Sequence, residues 1–332
     1  MNYRKAEAKA AARAQFRGLW AAITTPFTPD NRIDEAGLRR NMRHFTDVLH
    51  VEGIFCTGTM GEFWALTKEE RKRVVEIVVE EARGKCRVIP HTGHHSVEET
   101  IDLTLHAQAV GADFAIVINP YYPAANDEML YQWFAQLSAR TDIGIWMFDT
   151  AYSGVELSAA LTARVAELPN ICGIKCSRPL THYAEVKTLC GEKIVMSHPS
   201  ESDWLPLMRD YGARVHMSSA APFIYQTAHW QPLREYTELA LASRFAEAEK
   251  VAQTLEPVRK VHHRWMRDPW VKRRIIAISY LKAWMELLGL VGGAVRAPLL
   301  QVTVEEREQM KADIECSDLL ANGTGARRSR AA

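Results

Sequence analysis

"NICGIKCSRPL", residues 170–180, sets a lysine at the end of an apolar run. Residues 171–174 have the composition of a short strand buried on both faces, as in the middle of a parallel sheet. Lys175 closes that run. An ammonium buried without a partner is costly, and the usual outcome is a lowered pKa that leaves the amine neutral. A neutral buried amine is a nucleophile. One lysine near a strand end is ordinarily a salt-bridged surface residue, but the apolar residues before Lys175 give it a position able to point inward, and this favours catalysis.

Outward from this run, short β-rich stretches alternate with longer amphipathic ones. The strand candidates are 19–27, 53–58, 87–93, 114–122, 143–149, 171–177, 193–198 and 213–221. Between them, 67–84 carries Val and Ile at helical spacing behind a Thr67/Glu70 capping box. The next helix, 96–111, starts with Ser96 and Glu99 and stops at Gly111. Eight strand-helix alternations predict an α/β fold of the (β/α)8 TIM-barrel type over 18–224. A C-terminal helical extension over 225–315 includes "PWVKRRIIAISYLKAWMELLGL" as helix. Residues 1–17, basic and Ala-rich, are expected to form a surface helix rather than a transit peptide, because nothing like a cleavage site follows. The Gly-, Ala- and Arg-rich tail, 316–332, is expected to be disordered.

Composition narrows the function. Lys plus Arg (41) balance Asp plus Glu (40), so no global field recruits nucleic acid or an anionic membrane, and a small-molecule ligand is expected. No apolar stretch approaches the ~20 residues of a membrane span. Six scattered cysteines without a CxxC pair or a signal-peptide pattern fit a reduced cytoplasm. In a barrel the chemistry collects at the C-terminal strand ends, here 24–25, 57–62, 91–95, 119–122, 148–152, 175–178, 197–201 and 218–221. Lys175 falls in that ring.

With Lys175 on the sixth strand, three stretches resemble the dihydrodipicolinate synthase / N-acetylneuraminate lyase family of class I aldolases. They are "GTMGEFWALTKEER" (58–71), "INPYYPAANDEMLYQWF" (118–134) and "LPNICGIKCS" (168–177). The resemblance runs from about Gly18 to Leu290. It implies that Lys175 forms a Schiff base with pyruvate or another 2-oxo acid and that no cofactor is needed. It further implies that Thr59, with the backbone N–H groups of Thr59 and Met60, holds the substrate carboxylate, and that Gly58 lets the backbone approach. Tyr122 resembles a tyrosine that family members lend across a subunit interface, which implies a homotetramer built as a dimer of dimers.

The sequence also departs from the family. The proton-shuttling tyrosine of the fifth strand aligns, without gaps back from Lys175, with Met147. Its partner threonine is replaced by Met60, and the arginine for the second substrate's carboxylate aligns with Tyr152. For each of Met60, Met147 and Phe148, with Trp64 and Trp146 nearby, core packing is the ordinary reading, but together they point to an apolar and even aromatic aldehyde, as in the hydratase-aldolase branch that cleaves arylidene-pyruvates. The stretch "HTGHHS" adds His91, His94 and His95 after the third strand. Zinc binding is disfavoured there because His94 and His95 should diverge and a Schiff-base lysine makes a Lewis acid redundant. His94 and His95 are instead candidates for substrate contact and, with Tyr152 ranked first and Tyr122 also in contention, for proton transfer. The competing readings are 4-hydroxy-tetrahydrodipicolinate synthase, a non-catalytic 2-oxo-acid-binding barrel, and pyridoxal phosphate on Lys175.

Overall fold

The computed structural model describes residues 1–120, 122, 126–317 and 319–320. Its eight strands are β1 (Gly18–Ala22), β2 (Gly53–Cys56), β3 (Arg87–Pro90), β4 (Phe114–Ile118), β5 (Gly144–Thr150), β6 (Ile171–Ser177), β7 (Val195–Ser197) and β8 (Val215–Ser219). All neighbouring strands run parallel, in the orders β3-β2-β1-β8 and β4-β5-β6-β7. One seam between these halves is closed by the parallel bridge His91–Ile116. At the other, the Ser197 hydroxyl stands in for a ladder bond, accepting from Met217 N at 2.9 Å. This is the expected TIM barrel.

Helices follow the strands where the capping signals placed them. Lys68–Ala82 starts on a Thr67/Glu70 capping box, and Val97–Val110 starts on Ser96 and ends at Gly111 in the left-handed region. Inside the barrel pack Trp20, Phe55, Ile89, Phe114, Ile116, Trp146 and Phe148, while separate apolar layers lie between strands and helices. No helix of the described residues is long and apolar enough to cross a membrane.

Two expectations need correction. The N-terminal helix, Ala8–Gln15, is not merely a surface element. Its Ala8, Ala12 and the following Phe16 are buried in the barrel interior, where Phe16 lies 4.2 Å from both Trp20 and Trp146. The helix plugs the end of the barrel where the strands begin. Burying one such aromatic side chain contributes about 1.5–3 kcal/mol.

The C-terminal stretch from Pro269 to Leu290 is not one helix. It divides into Asp268–Arg273 and Ile278–Leu287, because Arg274 takes a φ of +56°. The first helix after β8's short turn, Pro232–Leu241, packs against β1 and Trp204–Tyr211, so it completes the barrel's outer ring. The extension proper begins after it. Of the tail expected to be disordered, Cys316 ends the helix Val304–Cys316 and Ser317 and Leu319 are buried, so its first residues are packed, while residues 318 and 321–332 lie outside the described residues.

Candidate active site

Lys175 occupies the inward face near the C-terminal end of β6, paired with Phe148 on β5 and Ser197 on β7. It is 6% exposed, and its side chain makes no hydrogen bond or ion pair among the described residues. Its amine sits 3.9 Å from the centroid of the Phe148 ring and 5.2 Å from that of Phe55. Burial without an anion lowers its pKa from 10.5 to about 7. The amine borders a cavity of about 230 Å³ walled by Phe55, Thr59, Met60, Phe148, Tyr152 and Trp270. Ser177 and Thr150 add hydroxyls to that wall.

The glycine-rich turn after β2 is held rigidly. A Cβ on Gly58 would lie 2.4 Å from the Phe55 ring, so only glycine lets that ring stand beside the lysine. The Thr25 hydroxyl donates to Gly61 O at 3.0 Å. Glu62, fully buried with φ +54°, pairs with Lys282 at 2.6 Å and accepts from Arg296 N. A helix of the C-terminal extension thus anchors the turn that carries Thr59. The backbone N–H groups of Thr59 and Met60 make no hydrogen bond among the described residues, which leaves them able to bind an anion.

The structure brings together Lys175, Gly58, Thr59, Met60, Phe148 and Tyr152, and it sets other candidates apart. Met147 does not line the cavity. It is 0% exposed and packs outward against the helices, with Leu130, Phe134 and Leu161 in the same layer. Strand alternation gives the inward positions of β5 to Trp146, Phe148 and Thr150, so the residue opposite Lys175 is Phe148. An ungapped count cannot see a one-residue change in the connection between strands, and a period of two turns that residue into the wrong face. Trp146 lies deeper, against Phe16, and Trp64 packs on Phe63.

His94 and His95 also stand outside the cavity. His94 Nδ1 accepts from Ser96 N at 3.1 Å, and His95 is exposed. His91 is buried behind Phe148, its Nδ1 3.1 Å from Thr57 O. Burial, Arg71 and Lys175 hold its pKa well below the usual value. It stays neutral at working pH. Tyr122 is 90% exposed and does not reach this chain's own cavity.

Tyr152 comes from the loop after β5, 42% exposed, its ring 4.7 Å from Trp270 and edge-on to it. Desolvation holds its phenol above the ordinary value, so it is a proton donor throughout the neutral range. Arg178 fixes that loop: it pairs with buried Asp149 at 2.7 Å and donates to Thr150 O at 3.3 Å and Val155 O at 2.5 Å. Asp149, Cys176 and His182 bring potential metal ligands within 4.8 Å. Arg178 already engages the carboxylate, and burial pushes the Cys176 thiol up to about 12, so a cation there would compete with a guanidinium and a proton. Trp270, from helix Asp268–Arg273, was not singled out in the sequence. It follows no strand, so its only signal was an aromatic in a basic segment.

A family model described as the dihydrodipicolinate synthetase family matches residues 15–317. A 4-hydroxy-tetrahydrodipicolinate synthase of Methanothrix thermoacetophila is 30% identical over 298 residues, covering 89% of this chain and 95% of the relative. One from Thermus thermophilus is 32% identical over 312 residues, covering 92% and 97%. Among solved structures, a dihydrodipicolinate synthase from Aquifex aeolicus superposes with a TM-score of 0.80 at 28% identity, covering 92% of this chain and 99% of that one.

Proposed function

The chain belongs to the dihydrodipicolinate synthetase family, and from that membership and the Lys175 cavity we propose that it makes or breaks a carbon-carbon bond between pyruvate, or a related 2-oxo acid, and an apolar aldehyde, aryl aldehydes foremost. It is an enzyme of the class I aldolase type, a carbon-carbon lyase. The observation that carries the proposal is the Lys175 amine, unpaired, lowered to about 7 and faced by Phe148 rather than by a hydroxyl.

In this reading the neutral amine adds to the ketone carbon of the 2-oxo acid, and loss of water gives an imine. Thr59 and the N–H groups of Thr59 and Met60 hold the carboxylate. The protonated imine accepts the electron pair left when a proton leaves the adjacent carbon, and the resulting enamine attacks the aldehyde carbon. The aldehyde oxygen takes up a proton, hydrolysis frees the amine, and the reverse sequence cleaves the product. Tyr152 is the only phenol on this chain's cavity wall among the described residues, and we assign it the proton. Met60 and Phe148 give the aldehyde an apolar surface. Exposed Tyr122 fits a role at a neighbouring copy's cavity in a tetramer, and cysteines that are all free fit a cytoplasmic setting.

The second reading, 4-hydroxy-tetrahydrodipicolinate synthase, is favoured by the names of the relatives. Against it stand Phe148 and Met60, where that chemistry uses hydroxyls in the family the sequence resembles. An aldehyde panel with pyruvate decides between them. Aryl aldehydes are expected to turn over better than aspartate semialdehyde, and efficient turnover of the semialdehyde would reverse the order.

A further inference from the structure

Past the wall formed by Met60, Tyr152, Pro199 and Trp270, the Lys175 cavity adjoins a second one of about 620 Å³, which those four residues also line. The second cavity lies between the strand ends and the C-terminal helices, and its far side is cationic. Helix Glu256–His262 and the turn His263–Arg267 contribute Lys260, His262, His263 and Arg267.

The acidic groups there are already committed. Glu201, buried, is held by Arg259 through two contacts of 2.8 Å and accepts from the Tyr236 hydroxyl at 2.7 Å. Glu256 is 3.6 Å from Arg259. The side chains of Lys260 and Arg267, by contrast, make no hydrogen bond or ion pair among the described residues, although both residues line the cavity. Burial above all, with smaller contributions from His263 and Arg267 and against the pull of Glu201, lowers the pKa of His262 to about 4 and keeps it neutral, while Lys260 and Arg267 carry fixed positive charge.

We infer that this second cavity is the acceptor subsite, and that Lys260 and Arg267 bind an anionic group, a carboxylate, at the far end of an elongated aldehyde whose apolar or aromatic middle passes between Met60, Tyr152 and Trp270. The inference rests on the Schiff-base reading of Lys175. The inner chamber of about 230 Å³ holds Lys175, the outer one of about 620 Å³ holds the cations, and the two share the aromatic wall across which such an aldehyde would lie. A guanidinium and an ammonium whose cavity-side carboxylates, Glu201 and Glu256, are engaged by Arg259 instead are the groups that a ligand carboxylate would pair with.

The test uses the full-length enzyme with pyruvate and two acids, 4-formylbenzoate and 4-formylcinnamate, each beside its methyl ester, which keeps the shape and removes the charge. At least one acid should exceed its ester in kcat/KM by about tenfold or more, the scale of a charge-assisted hydrogen bond. The acid-to-ester ratio should fall toward unity in the double variant Lys260→Met/Arg267→Met and be largely kept in Arg267→Lys. Ratios near unity for both acids in the parent, or a ratio unchanged in the double variant, would overturn the inference. Borohydride trapping of pyruvate on the same preparation separates the two failures. Trapping at Lys175 with no acid preference removes the anionic subsite alone, and absence of trapping removes the Schiff-base reading and the subsite together.

Discussion

Replacing Lys175 by methionine should abolish imine formation and at the same time stabilise the protein. The physical ground is the amine's environment: buried at 6% exposure against two aromatic rings, without an anion. Its pKa falls from 10.5 to about 7. For a base, a folded-state pKa below the unfolded value means that the unfolded chain binds the proton more tightly. Folding must then expel that proton, or bury it, at every pH below the unfolded value. The cost is fully present below about pH 7, shrinks as pH rises, and vanishes above about 10.5. At 1.36 kcal/mol per unit, it amounts to about 5 kcal/mol near pH 6, about 3 near pH 8 and about 1 near pH 10. Methionine, of similar length and apolar, removes it. Urea unfolding of parent and Lys175→Met at these three pH values should show a stability gain that declines by these steps. A gain that does not vary with pH, or no gain, would refute the claim that the lysine is held neutral by desolvation.

Three further outcomes follow from the site. Tyr152→Phe should still form the imine with the 2-oxo acid but lose turnover by about 10²–10⁴-fold, while His94→Ala and His95→Ala keep parental turnover; single-turnover trapping and steady-state rates separate the steps. Lys282→Met should cost about 3–5 kcal/mol in urea unfolding because it strands the buried Glu62 charge, and adding Glu62→Gln should recover part of the loss. Arg178→Met should destabilise by a similar about 3–5 kcal/mol by stranding Asp149. It should also raise proteolytic cleavage within 150–155, since the guanidinium holds Thr150 O and Val155 O.

The barrel was legible because strands buried on both faces must be apolar on consecutive residues, and because helix caps need specific side chains. Thr67 with Glu70, and Ser96 with Gly111, marked helix ends to within a residue or two. Lys175 was legible for the converse reason, as a charge where the pattern requires none. Which way the fifth strand faces was not legible. Alternation, not residue count, sets the face, and Met147 and Phe148 differ by one residue with opposite environments. The role of the N-terminal helix was hidden because alanines suit a buried face as well as an exposed one; Phe16 was the only cue that it enters the barrel. Trp270 and Arg267 reach the site through tertiary packing of the C-terminal helices, and no local spacing encodes that approach.

The central claim is that Lys175 is a neutral, desolvated nucleophile. Its most direct test is borohydride trapping with pyruvate across a pH series, read by intact mass and peptide mapping. The account predicts one reduced pyruvyl unit per chain, located at Lys175, with an initial trapping rate that rises to half its maximum near pH 7. An adduct on another lysine, or a midpoint near the 10.5 of an exposed amine, would contradict it.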